Sequence, residues 1–180
     1  MVTATPLISE EYRKIQQQLH QNPNYGEASV HYAGLVAQLV EATGSRELLD
    51  YGAGKGRLGA ALRRQVRQPL TIHHYDPAIP EWAAAPAPCG LVVCIDVLEH
   101  IEPALIDNVL DDLARVTAGV GLFTVCTGPA VKTLPDGRNA HLIQQPPAWW
   151  LPKFIERFEL ATFNRMPPTD FWVVVERKPA

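Results

Sequence analysis

The chain has 180 residues, of which 47% are hydrophobic and 19% charged, and its formal net charge is −3. This length and composition predict one globular domain with its own core, and the small negative charge disfavours binding to long duplex nucleic acid. No apolar run approaches the roughly 20 residues that cross a membrane, so no membrane association is expected. Without a secretion signal or a CxxC pair among its 3 cysteines, the chain is expected in the cytoplasm.

Helices and strands alternate along the sequence. Apolar periodicity predicts five helices: 9–20, about 29–42, 56–67, 103–116 and 148–158. Short apolar runs predict six strands: 46–51, 70–76, 91–96, 120–126, 158–164 and 171–177. The last two strands are joined by so few residues that they must form an antiparallel hairpin. The alternation of the other strands with helices predicts an α/β fold with a parallel sheet.

The most informative stretch is LLDYGAGKGRLGAAL, residues 48 to 62. Four glycines fall within it directly after a predicted strand: Gly52, Gly54, Gly56 and Gly59. A phosphate-binding P-loop is excluded because no Ser or Thr follows Lys55 and Gly56. A dinucleotide fold fits the GxGxxG spacing and the later Asp76, but Asp50 would repel a pyrophosphate at the mouth of this turn. The same acid suits the ammonium group of S-adenosylmethionine, so we favour that cofactor.

Four segments, in this order, resemble the class I S-adenosylmethionine-dependent methyltransferases: LLDYGAGKG, YDP, LVVCIDVLEHIEP and GLFTVC. The resemblance implies a Rossmann-like α/β fold with a mostly parallel seven-stranded sheet, an antiparallel last strand and helices on both faces. It also implies a single methyltransferase domain over 1–180. Within that domain we expect a helical cap (1–44), a cofactor-binding core (45–126), and a substrate loop, helix and terminal hairpin (127–180).

The resemblance also implies which residues bind the cofactor. The glycine turn is expected beside the methionine part, Asp76 at both ribose hydroxyls, and the segment after the third strand beside the methionine and adenine. Because 81–90 is mostly Ala and Pro and offers no clear acid for the adenine amine, backbone groups and Trp82 are expected there. The whole expected set is Asp50, Gly52, Ala53, Gly54, Asp76, Pro77, Asp96, Val97 and Tyr25, the last as a closing residue.

The segment DVLEHIEP follows the third strand, at the end of the sheet where α/β proteins bind ligands. The pattern Asp96-x-x-Glu99-His100, with the later His141, resembles the acid-x-x-Glu-His and later His that bind the metal in small-RNA 2′-O-methyltransferases. Asp96 is shorter than the Glu of that pattern and is also expected at the cofactor, which leaves Glu99, His100 and His141 as the expected ligands. One hypothesis is therefore that these three residues bind Mg²⁺ or Mn²⁺. A second is that they are catalytic without a metal, with an imidazole as base. A third is that Glu99 caps the following helix and none of the three is catalytic.

The stretch CTGPAVKTLPDGRNAHLIQQPPAWW is too long for a simple connection between two elements. Lys132, Arg138 and Asn139 are suited to a phosphate or carboxylate, and Trp149 to stacking on a ring. The alternative is a solvated turn and a tryptophan pair in the core. The sequence thus predicts methyl transfer to a small-molecule or nucleotide-like acceptor, with oxygen favoured. The alternatives are a metal-dependent RNA or nucleotide 2′-O-methyltransferase and a protein that binds the cofactor without turnover.

Overall fold

The structure, a computed structural model, describes residues 5–22 and 25–179. In these ranges it has five α-helices: α1 (Glu10–His20), α2 (Ala33–Thr43), α3 (Arg57–Leu62), α4 (Ile106–Val116) and α5 (Pro147–Arg157). It has six strands: β1 (Glu47–Tyr51), β2 (Thr71–Tyr75), β3 (Cys89–Cys94), β4 (Thr117–Cys126), β5 (Phe158–Met166) and β6 (Asp170–Arg177). Short 3₁₀ turns occupy Ala28–Tyr32, Pro80–Trp82, Leu98–His100 and Pro103–Leu105. No helix in the described ranges combines the length and apolar character needed to cross a lipid bilayer.

The six strands form one sheet in the order β2-β1-β3-β4-β6-β5. The first four strands are parallel, whereas β6 runs antiparallel to both β4 and β5. The mostly parallel sheet and the terminal hairpin are therefore confirmed. Because parallel strands end at the same edge, the turns after β1, β2, β3 and β4 meet there, and this edge carries the candidate site.

The expectation of a seven-stranded sheet is wrong for the described part of the chain. The connection 76–88 runs from β2 to β3 and contains only the 3₁₀ turn Pro80–Trp82. A crossover to a parallel strand needs about a dozen residues, so this connection cannot supply an extra strand as well as the return to β3. β2 is consequently an edge strand of the sheet.

Helices cover both faces of the sheet. On one face, α4 and α5 pack on the strands through large apolar residues, among them Leu110, Trp150 and Phe154. On the other face, α2 and α3 pack through a second group that includes Val36 and Leu62. The cap helix α1 belongs to neither layer, because its apolar residues pack on the loop 130–142. This places α1 over the carboxyl edge of the sheet.

Three predicted helices differ from the observed ones at their ends, and one of them, predicted over 103–116, begins with the 3₁₀ turn Pro103–Leu105 before α4. The segment predicted as a helix from 29 begins as a 3₁₀ turn and becomes α-helical at Ala33, and α3 ends at Leu62 rather than 67. After α3 the chain passes through a turn at 63–65 with short-range hydrogen bonds such as Arg64 N–H to the Ala61 carbonyl at 3.2 Å. The division of the chain into cap, core and substrate segments stays a prediction.

Candidate functional site

The turn after β1 is built on glycines with left-handed backbone angles. Gly52 has φ +78° and Gly54 φ +53°, a region that side-chain-bearing residues rarely adopt. At Gly52 a Cβ atom would also lie 2.4 Å from Cγ2 of Val97, so a side chain does not fit. The N–H groups of Gly52 and Ala53 donate to the Tyr75 carbonyl at 2.7 and 3.0 Å. These bonds fix the turn against the end of β2.

Asp76 follows β2 and braces the same turn. Its Oδ2 accepts the Gly54 N–H at 3.0 Å, and its Oδ1 accepts the Ala78 N–H at 2.9 Å. A carboxylate oxygen has a second lone pair, so each oxygen can accept one further hydrogen bond from a ligand. Asp76 is thus able both to shape the turn and to receive hydroxyl groups.

One cleft is lined by nine of the residues that the sequence predicts at the cofactor: Asp50, Gly52, Ala53, Gly54, Asp76, Pro77, Asp96, Val97 and Tyr25. The cleft encloses about 940 Å³, its open mouth included. Gln16 and His20 of α1 line it from above, and Lys55 holds Tyr25 in place by donating to its carbonyl at 3.2 Å. The structure brings the nine residues together, and their contact with a cofactor stays a prediction.

Trp82, expected at the adenine, does not line this cleft in the described part of the chain. Its indole stacks on the His74 imidazole, with ring centroids 4.7 Å apart. A Cβ at Gly56 would lie 3.1 Å from Trp82, and one at Gly59 would lie 3.1 Å from His74. Gly56 and Gly59 therefore make room for a ring pair beneath the turn.

Asp50, the penultimate residue of β1, is a buried carboxyl group that lines the cleft. Burial raises its pKa, and the neighbouring His74, whose Nδ1 lies 3.5 Å from Oδ2, opposes that effect. Within the described chain, Oδ2 accepts no hydrogen bond. A buried carboxylate oxygen without a donor fits a cationic ligand group, and the ammonium of S-adenosylmethionine is such a group.

Asp96, two residues after the end of β3, has φ +58° and is the one non-glycine residue with positive φ among those described. Its N–H donates to Oγ1 of Thr124 at 3.0 Å. Asp tolerates this backbone conformation better than most residues, at a cost of about 1 kcal/mol or more. Strained residues of this kind cluster at functional sites, and Asp96 lines the cleft.

His100 and His141 lie side by side although they are far apart in sequence. Their rings are perpendicular, with centroids 4.8 Å apart. Nδ1 of His100 lies 2.8 Å from the Ala140 carbonyl, and Nδ1 of His141 lies 2.7 Å from the Gly128 carbonyl. Because a carbonyl only accepts, we assign the proton of each ring to Nδ1, which leaves Nε2 as a basic acceptor. Burial lowers the pKa of His100, so its ring is neutral near pH 7.

Glu99 points away from the following helix and toward β4. Its Oε1 accepts the Cys126 N–H at 2.6 Å, and its Oε2 has no hydrogen-bond partner within the described residues. Burial and the nearby Asp96 raise the pKa of Glu99 well above the usual range. The N-terminus of α4 receives no side-chain cap. The hypothesis that Glu99 caps this helix is therefore wrong.

Two groups of possible metal ligands occur among the described residues. Asp96, His100 and His141 form one, and Glu99, Cys126 and His141 form the other, with ligand atoms within 4.8 Å of one another in each. The predicted set of Glu99, His100 and His141 is not a single group in the described part of the chain. The physical reason is that Glu99 turns toward Cys126, while His100 turns toward Asp96.

None of the four residues expected at the substrate lines the cleft in the described ranges. Oδ1 of Asn139 accepts the N–H groups of Ala130 and His141, both at 2.9 Å, and so braces the loop. Arg138 pairs with Asp136 at 2.6 Å on the surface.

Lys132 and Trp149, the other two, make ring contacts. The Lys132 ammonium lies 4.9 Å from the centroid of the Tyr25 ring. Trp149 meets Trp150 edge-on at 5.0 Å and packs against the core beside α4 and α5. These are contacts of a folded loop and helix, and a role of any of the four residues in substrate binding stays a prediction.

A second cavity adjoins the cleft, and the sequence did not predict it. Its lining includes Glu99 and Asp170, the aromatic residues Tyr32 and Trp172, and Asp96, which also lines the cleft. Ala28 also lines both spaces, so the cleft and the cavity share lining residues at two places. The lining comes from four separate parts of the chain, so no local sequence pattern predicts the cavity. The one sequence signal for it is an acid, Asp170, directly before the predicted strand 171–177.

Comparisons with known proteins give a family. The family model described as a methyltransferase domain matches residues 16–167 of this chain. No curated protein matches the sequence. Similar solved structures are all distant in sequence, and they show the fold alone.

One such structure is 1,6-didemethyltoxoflavin-N1-methyltransferase of Burkholderia thailandensis with bound 1,6-didemethyltoxoflavin and S-adenosylhomocysteine. It is 18% identical, with a TM-score of 0.68, 97% of this chain covered and 92% of that one. Magnesium protoporphyrin IX methyltransferase of Synechocystis PCC 6803, with bound S-adenosylhomocysteine, is 15% identical (TM-score 0.56; 94% and 95% covered). A mitomycin 7-O-methyltransferase is 14% identical (TM-score 0.66; 91% and 60% covered). The chain belongs to the methyltransferase domain family.

Proposed function

We propose that the protein methylates an oxygen atom of a small molecule held in the second cavity. The observation that carries this proposal is that Asp96, beside His100, lines both spaces. A cofactor in the cleft and an acceptor in the cavity would meet there. Holding two reactants in contact supplies much of the rate enhancement of such a displacement.

The cleft residues fit S-adenosylmethionine part by part. Asp50 offers a buried carboxylate to the ammonium group, and Asp76 offers two oxygens to the ribose hydroxyls. Because the N–H groups of Gly52, Ala53 and Gly54 are already bonded within the protein, this turn is proposed to contact the cofactor through its Cα atoms and carbonyls. Tyr25 closes the cleft from above.

The paired imidazoles supply the base that a hydroxyl acceptor requires. Bound S-adenosylmethionine supplies a methyl group on a positively charged sulfur. As the acceptor oxygen bonds to that methyl carbon, the carbon–sulfur bond breaks, and S-adenosylhomocysteine leaves uncharged. Nε2 of His100 takes the proton of the hydroxyl group, with His141 beside it. Asn139 is a positioning residue, because it holds the backbone of His141.

Small-molecule acceptors are also what the similar structures suggest. The Burkholderia protein contains 1,6-didemethyltoxoflavin, and its name specifies a nitrogen atom. The mitomycin enzyme is named for an oxygen atom. Oxygen is our choice here because a hydroxyl needs a base, and this site has an imidazole kept neutral by burial.

A metal-assisted version of the reaction is the second candidate. Asp96, His100 and His141 could bind Mg²⁺ or Mn²⁺, and each histidine already donates its Nδ1–H to a carbonyl, as metal-ligating histidines do. The residues fit such an ion, which would act as a Lewis acid on the acceptor oxygen. A metal-dependent RNA or nucleotide 2′-O-methyltransferase would use the same three ligands.

The experiment measures formation of S-adenosylhomocysteine with a panel of hydroxylated ring compounds. His100→Ala and His141→Ala should each reduce turnover, and wild-type activity should fall as pH drops below about 6, where imidazoles gain a proton. EDTA should leave activity unchanged, whereas loss in EDTA and recovery with Mn²⁺ would select the metal version. Wild-type turnover in both variants would contradict a role for either histidine.

A further inference from the structure

We propose that the second cavity selects as acceptor a planar, non-anionic ring compound that carries an N–H or O–H donor, and that it excludes carboxylated or phosphorylated analogues. This inference rests on the proposed function, because it assumes that the acceptor occupies this cavity. It goes further in naming the chemical class. The argument uses the acids of the cavity, its aromatic residues and the positions of the nearby cations.

Three acidic side chains line the cavity: Asp96, Glu99 and Asp170. No Lys or Arg is among its described lining residues, and His31 is the single basic group. An anionic ligand would meet the Asp96 and Asp170 side chains in a partly desolvated space, where like charges repel more strongly than in water. Donor groups of a neutral or cationic ligand would instead find acceptors there.

The buried Glu99 side chain distinguishes this cavity from a shallow surface depression. The residue is 1% exposed, and its Oε1 is engaged by the Cys126 N–H. The other oxygen, Oε2, is buried without a hydrogen-bond partner in the described part of the chain. A buried polar atom left without a partner costs free energy, which a ligand group at the correct place recovers.

Aromatic residues define the shape of the preferred ligand. Tyr32, before α2, and Trp172, in β6, both line the cavity. The Tyr32 hydroxyl lies 3.7 Å from Sδ of Met166, across the rim between the cap and the terminal hairpin. Aromatic and thioether groups favour a flat apolar ring over a flexible chain. The cavity thus combines aromatic residues that suit a flat ring with acidic residues that suit a hydrogen-bond donor.

The cations of the chain that were expected at the substrate lie elsewhere. Lys132 sits over the Tyr25 ring, and Arg138 is paired with Asp136. Neither lines the acid-containing cavity. The phosphate of a nucleotide-like acceptor would therefore find no Lys or Arg to pair with among the described lining residues. An uncharged nucleoside or another uncharged heterocycle needs no such cation.

The test uses three matched ring compounds as probes on the full chain saturated with S-adenosylhomocysteine. Benzimidazole is uncharged near neutral pH and has an N–H donor, 1-methylbenzimidazole lacks the donor, and benzimidazole-5-carboxylate adds an anion. Ligand-observed NMR titrations measure their affinities. Benzimidazole should bind, and each of the other two should bind roughly tenfold more weakly, as expected for one lost hydrogen bond or one like-charge contact.

Asp170→Asn keeps the shape of the side chain and removes one negative charge from the cavity. In this variant the ratio of the benzimidazole affinity to the benzimidazole-5-carboxylate affinity should fall severalfold. The affinity for S-adenosylhomocysteine should stay unchanged. Asp111→Asn is the matched control, because Asp111 lies on the exposed side of α4 and pairs with Arg157. The control should bind all three probes as the wild type does.

Calorimetry with S-adenosylhomocysteine on the same samples distinguishes a failure of the proposed function from a failure of the inference about the acceptor. If S-adenosylhomocysteine itself does not bind, the proposed function fails. If it binds and benzimidazole gives no response, the inference about the acceptor fails and the enzymatic assignment stands. Equal or tighter binding of the carboxylate to the wild type would also overturn the inference, as would an Asp170→Asn variant with unchanged preferences.

Discussion

Asp76 braces the glycine turn and is also a proposed ligand of the cofactor. It accepts the N–H groups of Gly54 and Ala78, and it is proposed to receive the ribose hydroxyls. Asp76→Ala should weaken S-adenosylhomocysteine binding by about 1–3 kcal/mol in calorimetry, the value of charge-assisted hydrogen bonds. Asp107→Ala, on the exposed face of α4, is the control. Unchanged affinity in Asp76→Ala would remove Asp76 from the proposed cofactor site.

Glu99 links the site to the stability of the fold through pH. Burial raises its pKa in the folded protein above the value of about 4.3 expected in the unfolded chain. The folded protein then holds a proton that the unfolded chain has lost, so the wild type loses stability as pH rises above that value. Glu99→Gln removes this titration and keeps an acceptor for the Cys126 N–H.

We therefore expect Glu99→Gln to melt at a higher temperature than the wild type near pH 8, with a difference that shrinks toward about pH 4, where the unfolded carboxyl also becomes protonated. Thermal unfolding of both proteins across this range gives the answer. Glu159→Gln, at an exposed position of β5, controls for the loss of one charge. A variant less stable than the wild type near pH 8 would contradict a protonated Glu99.

The glycine turn after β1 is sensitive to added atoms. Gly52 and Gly44 both have left-handed backbone angles, but only at Gly52 does a Cβ meet another residue. Gly44→Ala should cost about 1 kcal/mol, from the backbone alone. Gly52→Ala should cost roughly 2–4 kcal/mol, because the contact with Val97 adds an overpacking term.

Chemical denaturation measures both costs, and the double variant Gly52→Ala/Val97→Ala tests their cause. Removing the Val97 side chain takes away the atoms that the new Cβ would strike. The double variant should therefore regain part of the stability lost in Gly52→Ala. Equal costs at Gly44 and Gly52 would show that only the backbone angle matters at this turn.

The loop 127–146 is braced by one amide side chain. Asn139 accepts from two N–H groups and donates to the Ala130 carbonyl at 2.8 Å, which holds the backbone before His141. Asn139→Ala should lower the maximal turnover of an accepted substrate more than it changes S-adenosylhomocysteine affinity. Asn139→Asp keeps the two acceptor contacts and should retain more activity. A loss confined to cofactor affinity would contradict this positioning role.

The elements themselves could be predicted because their signals are local. Apolar runs marked all six strands, and glycines after β1 marked the turn that meets the cofactor cleft. The ends of parallel strands share one edge, which is why Asp50, Asp76 and Asp96 could be expected together. The seventh strand was expected only from the family resemblance. The connection 76–88 is too short to contain it.

The parts of the site that the sequence missed depend on contacts between distant segments. The acid-lined cavity joins the start of α2, the end of β3 and the terminal hairpin, and no spacing along the chain encodes their approach. The orientation of Glu99 toward Cys126 and of His100 toward Asp96 is also set by packing. For this reason Asp96 lies with both histidines whereas Glu99 lies with His141 alone, and a metal at any of these residues stays a prediction.

On the scale of the whole molecule, the fold places two spaces of different chemistry at one edge of a six-stranded sheet. The cleft is shaped by backbone and by carboxylates suited to ribose and ammonium groups, and the cavity is shaped by rings and acids. The cap helix α1 closes the cleft, and the terminal hairpin bounds the cavity. The rigid sheet would hold a cofactor in the cleft and an acceptor in the cavity at a constant distance from each other. A one-step group transfer requires its two reactants to be held in this way.

The central claim is that the cleft binds S-adenosylmethionine and not a dinucleotide. Isothermal titration of the full chain with S-adenosylhomocysteine, and separately with NAD, tests it most directly. The account predicts saturable binding of one S-adenosylhomocysteine per chain in the micromolar range and no heat of binding from NAD, since Asp50 repels a pyrophosphate. Binding of NAD without binding of S-adenosylhomocysteine would contradict it.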